Sequence, residues 1–394
     1  MSRPAKYTLI ETNEDLRKII DEQANAHWVS FDTEFIGERR FHVQLCLIQL
    51  AFESGTFIVD PLKVKDLQPL LDLIQNPNIT KITHAGENDY RILFNHYGIV
   101  PKNVVDTQVA AAFVGYRYPV SYRKLGENEL NLRLDKGFTV AKWDQRPLPE
   151  KALIYGAKDV EYLIRLWHSL KSKLETLNRV EWVMDECKFL ENPEYYVVDP
   201  DRETIESSII KNITPKEQIF LLRLNRWRRD LAEKKNYSKD MILPNKYISQ
   251  LVKTVSGGMD ALNNHRRLHN NLVDEYGELF ISFYKEPALP EELEKLAEIP
   301  EENQEDPKHE LLTEMLDLII KYRSLDEQIA HEIVMPRYVL KRLKADAEFF
   351  EPLISNGWRK EFLGDDLVNW LQNRTHLDLF LSEGKIELKM HGDR

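Results

Sequence analysis

Cysteine is nearly absent: Cys46 and Cys187 are the only two in 394 residues, too few for a disulfide framework. Cys46 lies inside the apolar run Leu45-Cys46-Leu47-Ile48 and reads as a small buried residue. Cys187 follows Asp185-Glu186 on a helical stretch with no metal or disulfide partner in its motif. Long apolar runs are missing too. No stretch approaches the roughly 20 apolar residues of a membrane span, and the chain reaches Glu11 without the apolar core of a secretion signal. No Gly-x-x-x-x-Gly-Lys-Ser/Thr loop is present, which removes the P-loop class and with it a helicase. There is no low-complexity tract. These absences predict a cytoplasmic protein in a reducing compartment, with no membrane partner.

What is present suits packed domains: 42% of residues are hydrophobic and 30% charged, in a length that allows two or three domains. The net charge of −11 argues against a nucleic-acid partner only until its distribution is read. Residues 214–272 carry twelve Lys or Arg against five Asp or Glu, whereas 274–310 carry three against thirteen. A partner responds to such local fields rather than to the sum.

The first ~170 residues alternate strand-like and helix-like patterns. Strands are expected at Trp28 to Phe35, Gln44 to Phe52, Thr56 to Val59 and Ile79 to His84, with Val104-Val105 preceding a helix through Ala110-Ala111-Ala112. Helices are expected at Leu67 to Gln75, at Glu87 to Tyr97 before Gly98, and as one long amphipathic helix from Glu150 to Leu174. That mixture predicts an α/β domain with a helix-covered sheet. Beyond ~210 the strand signals fade. Thr214-Pro215-Lys216-Glu217 supplies a capping residue and a first-turn proline, so a helix starts there. The acidic, proline-flanked stretch Ile299 to Pro307 reads as a linker, helical patterning resumes from Leu311 to Asn373, and Leu377 to Met390 alternates like a hairpin around Glu383-Gly384.

Five residues carry the chemistry. Asp32 and Glu34 stand two apart in a strand, so both side chains leave the same face. Two acids near a strand end are often merely solvated, but Trp28, Phe31 and Phe35 predict a largely buried strand. Buried acids with no local base call for a cation. Tyr155 and Asp159, four apart, share a face of the long helix, a common spacing that means little alone. Asp89 follows His84-Ala85-Gly86 at a helix start, where helix electrostatics favour an acid anyway.

Taken in order, Asp-x-Glu on a first strand, an Asp opening a helix and a closing Tyr-x-x-x-Asp resemble the DEDD exonuclease superfamily. Its tyrosine-containing branch is indicated, because Ile154 stands five before Asp159, where the other branch has histidine. Within it the chain is most similar to the ribonuclease D family. Phe31-Asp-Thr-Glu-Phe35, Gln44-Leu-Cys-Leu-Ile-Gln-Leu50, His84-Ala-Gly86, Val105-Asp-Thr-Gln108 and Trp143-x-x-Arg-Pro-Leu148 carry the likeness. The resemblance implies a ribonuclease H-like (DnaQ-like) α/β exonuclease domain with a mixed sheet over 1–205. It implies two divalent cations, Mg²⁺ or Mn²⁺, with Asp32 bridging both, Glu34 and Asp159 holding the ion that activates water, and Asp89 serving the second. Tyr155 would orient the attacking water, since a phenol with pKa about 10 is a poor base. Asp106 is read as structural, capping the helix after it.

Residues 210–297 resemble an HRDC domain through Leu222, Trp227-Arg228, Ala232 and Ile248-x-x-Leu251, with Ser238 standing where proline is common. Residues 308–373, after an acidic linker at 298–307, resemble a second all-α HRDC-type domain through Asn356-Gly-Trp-Arg-Lys-Glu-Phe-Leu-Gly364, and 374–394 form a tail. Arg226, Arg228, Arg229, Lys234 and Lys235 are the candidate RNA contacts; the alternative is a solvated helix face. Trp227 reads as core rather than as a stacking platform. The implied activity is 3′→5′ exoribonucleolysis releasing nucleoside 5′-monophosphates, by a monomer acting on tRNA precursors and other small structured RNAs. A DNA exonuclease and a catalytically silent RNA-binding scaffold are the rivals. The HRDC pair favours RNA, and the full set of acids favours catalysis.

Overall fold

The computed structural model describes residues 6–132, 142–299, 307–346, 349–354, 357–373, 377–382 and 385–390. A six-stranded sheet forms from β1 (Tyr7–Ile10), β2 (Trp28–Ile36), β3 (Gln44–Phe52), β4 (Gly55–Val59), β5 (Thr80–Thr83) and β6 (Val104–Asp106), in the order β1-β4-β3-β2-β5-β6. It is mixed. The pairs β1/β4, β2/β5 and β5/β6 run parallel, while β3/β4 is an antiparallel hairpin with Phe52 opposite Gly55. From Leu45 to Phe52 every residue of β3 is buried, the continuous apolar pattern of a strand covered on both faces.

The helices of this region are α1 (Asn13–Glu22), α2 (Gln68–Gln75), α3 (Glu87–Tyr97), α4 (Thr107–Ala112), α5 (Tyr122–Leu130), α6 (Glu150–Glu161), α7 (Leu163–Thr176) and α8 (Val180–Cys187). The expected single helix from Glu150 to Leu174 is two, broken at Tyr162 (φ −107°, ψ −4°). A side chain causes the break. The Tyr122 hydroxyl donates to the Lys158 carbonyl (2.9 Å), the acceptor that Tyr162 N–H would use in an unbroken helix, and Tyr162 N–H turns to Val160 O instead. Insertion of this kind is a known origin of helix kinks, and no hydropathy pattern on the helix encodes it.

The chain divides into two compact units. One holds Met1–Glu34, Leu45–Tyr196 and Glu302–Arg394; the other holds Phe35–Gln44 and Val197–Glu301. In the first, the carboxy-terminal helices share a core with the exonuclease region instead of standing apart after the linker. Phe113 meets Trp358 edge-on at 4.8 Å, and Ala330 N–H donates to Ala112 O at 2.8 Å. Buried Arg179 donates to the carbonyls of Phe113 and Glu327, and Glu186 accepts from Trp358 and Arg359. Helical patterning between Leu311 and Asn373 resolves into several helices, the last (Gly357–Asn373) kinked at Gly364. Leu377–Ser382 and Lys385–Met390 pair as the expected antiparallel hairpin. Residues 300–306 of the expected linker, Asn356 and the turn Glu383-Gly384 lie outside the described residues.

The second unit is helical apart from the segment 35–44. Its long helix Pro215–Lys235 starts as the sequence predicts: Thr214 accepts from Glu217 N–H, and the Glu217 carboxylate accepts from Thr214 N–H. Trp227 packs edge-on against Tyr276 and Phe280, at 4.8 and 5.1 Å, as a core residue.

Candidate active site

Strand β2 delivers two acids side by side and α6 brings a third. Asp32, Glu34 and Asp159 each offer a carboxylate oxygen, and these oxygens lie within 4.8 Å of one another. Among the described residues no other group of three or more His, Cys, Asp or Glu converges in this way. Asp89, in the first turn of α3, is buried and stands outside that triplet. It accepts a hydrogen bond from the Thr33 hydroxyl, so the residue between the two strand acids fixes the fourth acid. None of the four makes an ion pair among the described residues. The Tyr155 hydroxyl donates to Asp159, one helical turn away.

Burial and mutual repulsion hold protons on these acids. Asp32 is pushed well above the usual carboxylate range by burial, then by Asp89, Asp159 and Glu34. Glu34 rises to about 8 through burial and then Asp159 and Asp89. Asp159 rises to about 7 through burial, although the Tyr155 bond opposes the shift. Asp89 rises to about 7 through burial, against the Thr33 donor. Burial and the same acids also raise the Tyr155 phenol, which therefore keeps its proton at neutral pH. A cluster of hard oxygen donors with no cation of its own matches the coordination preference of a divalent ion such as Mg²⁺.

The surrounding motifs hold the frame. Gly156 lets α6 lie against β3, since a Cβ there would meet Gln49 Nε2 at 2.9 Å. Gly86 is needed because a Cβ would meet the Thr83 side chain at 2.7 Å. Asp106 caps α4 through Gln108 N–H, and its two oxygens also accept from Ala85 and Gly86 N–H at 3.0 Å, tying down the turn that leads to Asp89. Arg146 grips buried Asp60 with two hydrogen bonds (2.6 and 2.7 Å) and the Trp143 and Cys46 carbonyls. That grip sets Trp143, whose ring lies 6.4 Å from the Tyr155 ring. Sequence reading passed over Thr33, Tyr122 and the Asp60–Arg146 pair. Thr33 carried a signal by standing between the two acids, and Arg146 by standing in the Trp143-x-x-Arg-Pro-Leu148 motif.

The basic cluster looks different in space. Arg228 is buried, and its Nε donates to Lys239 O, so the expected RNA contact here is corrected to a structural residue. Arg226 is held by Asp201 in a two-pronged ion pair at 2.7 Å, and Arg229 pairs with Asp230 at 3.1 Å. Lys234 and Lys235 are exposed and make no ion pair among the described residues. A helix wheel exposes only part of its circumference, and this one buries or pairs all four of its arginines, Arg223 included.

A family model described as 3'-5' exonuclease matches residues 7–175, and one described as HRDC domain matches residues 218–283. Fold and site thus define a 3′→5′ exonuclease domain joined to an HRDC domain. Ribonuclease D of Bartonella henselae is 30% identical over 386 residues, covering 97% of this chain and 93% of that protein. Ribonuclease D of Cronobacter turicensis is 27% identical, covering 93% and 100%. The crystal structure of Escherichia coli RNase D, described as an exoribonuclease involved in structured RNA processing, has the same fold. It superposes with a TM-score of 0.79 at 24% identity over 93% of this chain and 99% of that one. This chain belongs to the ribonuclease D family and is a 3′→5′ exoribonuclease. No helix among the described residues is long and apolar enough to cross a membrane.

Proposed function

We propose that the enzyme hydrolyses RNA from its 3′ end with two divalent cations, Mg²⁺ or Mn²⁺, held by Asp32, Glu34, Asp89 and Asp159. The observation that carries this reading is the triplet Asp32, Glu34 and Asp159, with oxygens within 4.8 Å and no ion pair among the described residues, together with the buried Asp89. When bound, the cations would activate a water and offset the charge on the leaving 3′ oxygen. Asp32, central to the repulsion, would serve both ions, Glu34 and Asp159 the one at the attacking side, and Asp89 the other. Tyr155 keeps its proton and so acts as a donor that orients the attacking water, not as a base. Thr33 holds Asp89, and the Tyr122 wedge fixes the end of α6 that carries Asp159.

The substrates proposed are tRNA precursors and other small structured RNAs with accessible 3′ ends, cut to nucleoside 5′-monophosphates by a cytoplasmic monomer. Residues 308–373 are proposed as a second HRDC-type domain, on the helices that the described residues among them form. Matched RNA and DNA substrates with 3′ overhangs, each assayed in EDTA and after Mg²⁺ or Mn²⁺ is returned, test the reading. RNA hydrolysis that stops in EDTA and recovers with either ion is expected. Undiminished hydrolysis after rigorous metal removal would sink the two-cation mechanism, and a preference for the DNA overhang would favour the rival.

A further inference from the structure

The segment between β2 and β3 belongs to the helical unit. Its backbone is held at two points: Ser238 N–H donates to Arg39 O (3.2 Å), and the Asn236 side-chain oxygen accepts from His42 N–H (3.0 Å). Between these two anchors stands Tyr237, 47% exposed although aromatic. The loop is closed by a turn from Arg40 N–H to Gly37 O, with Val43 against Gly37. Exposed Arg39 and half-buried Arg40 make no ion pair among the described residues, and the same is true of Lys234 and Lys235 at the adjoining helix end. The acids of this patch are Glu38 and Glu233, and Glu233 lies 4.0 Å from His42.

An open aromatic face flanked by unpaired cations, in a chain of net charge −11, is the composition that grips a single strand: bases stack on the ring while cations follow the phosphates. We propose that the loop 37–43 and the helix end at Lys234-Lys235-Asn236-Tyr237 form one binding surface for single-stranded RNA, with Tyr237 as a stacking platform and Arg39 and Arg40 holding phosphates. Arg39 is five residues from Glu34, so covalent geometry alone limits the Cα separation to about 18 Å. The inference rests on the exoribonuclease reading above.

The test is binding of a single-stranded oligoribonucleotide to the full chain in EDTA, across a salt series, with melting temperature as the check on folding. Tyr237→Ala is expected to weaken binding roughly tenfold at every salt concentration, with Tyr237→Phe close to the parent. Arg39→Ala with Arg40→Ala should flatten the salt slope of log K by about 0.7 for each phosphate no longer neutralised. Ser238→Pro removes the N–H that holds Arg39 while suiting φ −62°, and should weaken binding without changing charge. Parental affinity and slope in all three folded variants would overturn the surface while leaving the nuclease reading intact. A parent that neither binds nor cuts RNA would overturn both.

Discussion

The acid cluster of the exonuclease core and the arginines of the helix Pro215–Lys235 are both dense charge in a folded interior, yet they are built on opposite rules. Each arginine of that helix is answered. Arg223 donates to both oxygens of buried Glu292 at 2.6 Å and to the carbonyls of Phe283, Glu286 and Pro287, while Arg226 takes Asp201 and Arg228 takes Lys239 O. The four carboxylates are answered by hydroxyls and backbone N–H groups but by no cation among the described residues, and their proton affinities rise. Paired buried charge holds structure, whereas convergent unpaired charge of one sign is kept for a ligand.

That comparison breaks first at Asp32. Asp32→Asn is expected to cut kcat by at least about 10³-fold, several kcal/mol of transition-state stabilisation. Tyr155→Phe removes one donor and should cost about 10²-fold in kcat with KM little changed. Steady-state rates on a short oligonucleotide check both, and a Tyr155→Phe enzyme turning over like the parent would exclude its role. On the paired side, Arg223→Met leaves Glu292 buried without its cation and should destabilise the helical unit by roughly 3–5 kcal/mol. Lys234→Ala, which breaks no pair, should stay within about 0.5 kcal/mol. Denaturant midpoints of the two variants decide whether the contrast holds.

The sign of the pH response separates the regions further. Folding raises the affinity of Glu34, Asp89 and Asp159 for a proton to about 7–8. The stability they give the metal-free protein is therefore full below about pH 4 and is lost as pH rises through 7 to 8. The melting temperature of metal-free protein should rise by roughly 5 °C from pH 8 to pH 6. Added Mg²⁺ should stabilise more at pH 8 than at pH 6, because it competes with those protons. A melting temperature flat across that range, measured with chelator present, would mean the acids are not repelling. Among the kinetic effects the smallest is expected at Tyr122. Tyr122→Phe takes the wedge out of the α6–α7 junction and should lower kcat about tenfold through Asp159. An unchanged kcat would show that the break at Tyr162 does not position that acid.

The sequence by itself determined most of the exonuclease frame and where its acids stand on it. Alternation placed Asp32 and Glu34 on one strand face, helical spacing put Tyr155 over Asp159, and Thr214-Pro215 with Glu217 set the start of the long helix to the residue. These are local rules of period and capping, readable without knowing what lies opposite. The tertiary structure decided everything that depends on a partner distant in sequence. It split the helix at Tyr162 because a hydroxyl 40 residues away enters its ladder, it joined the carboxy-terminal helices to the exonuclease core through Arg179 and Trp358, and it consumed Arg226 and Arg228 in pairs 25 and 11 residues distant. A charge read in sequence has only its neighbours for context, whereas its partner in the fold is chosen by packing.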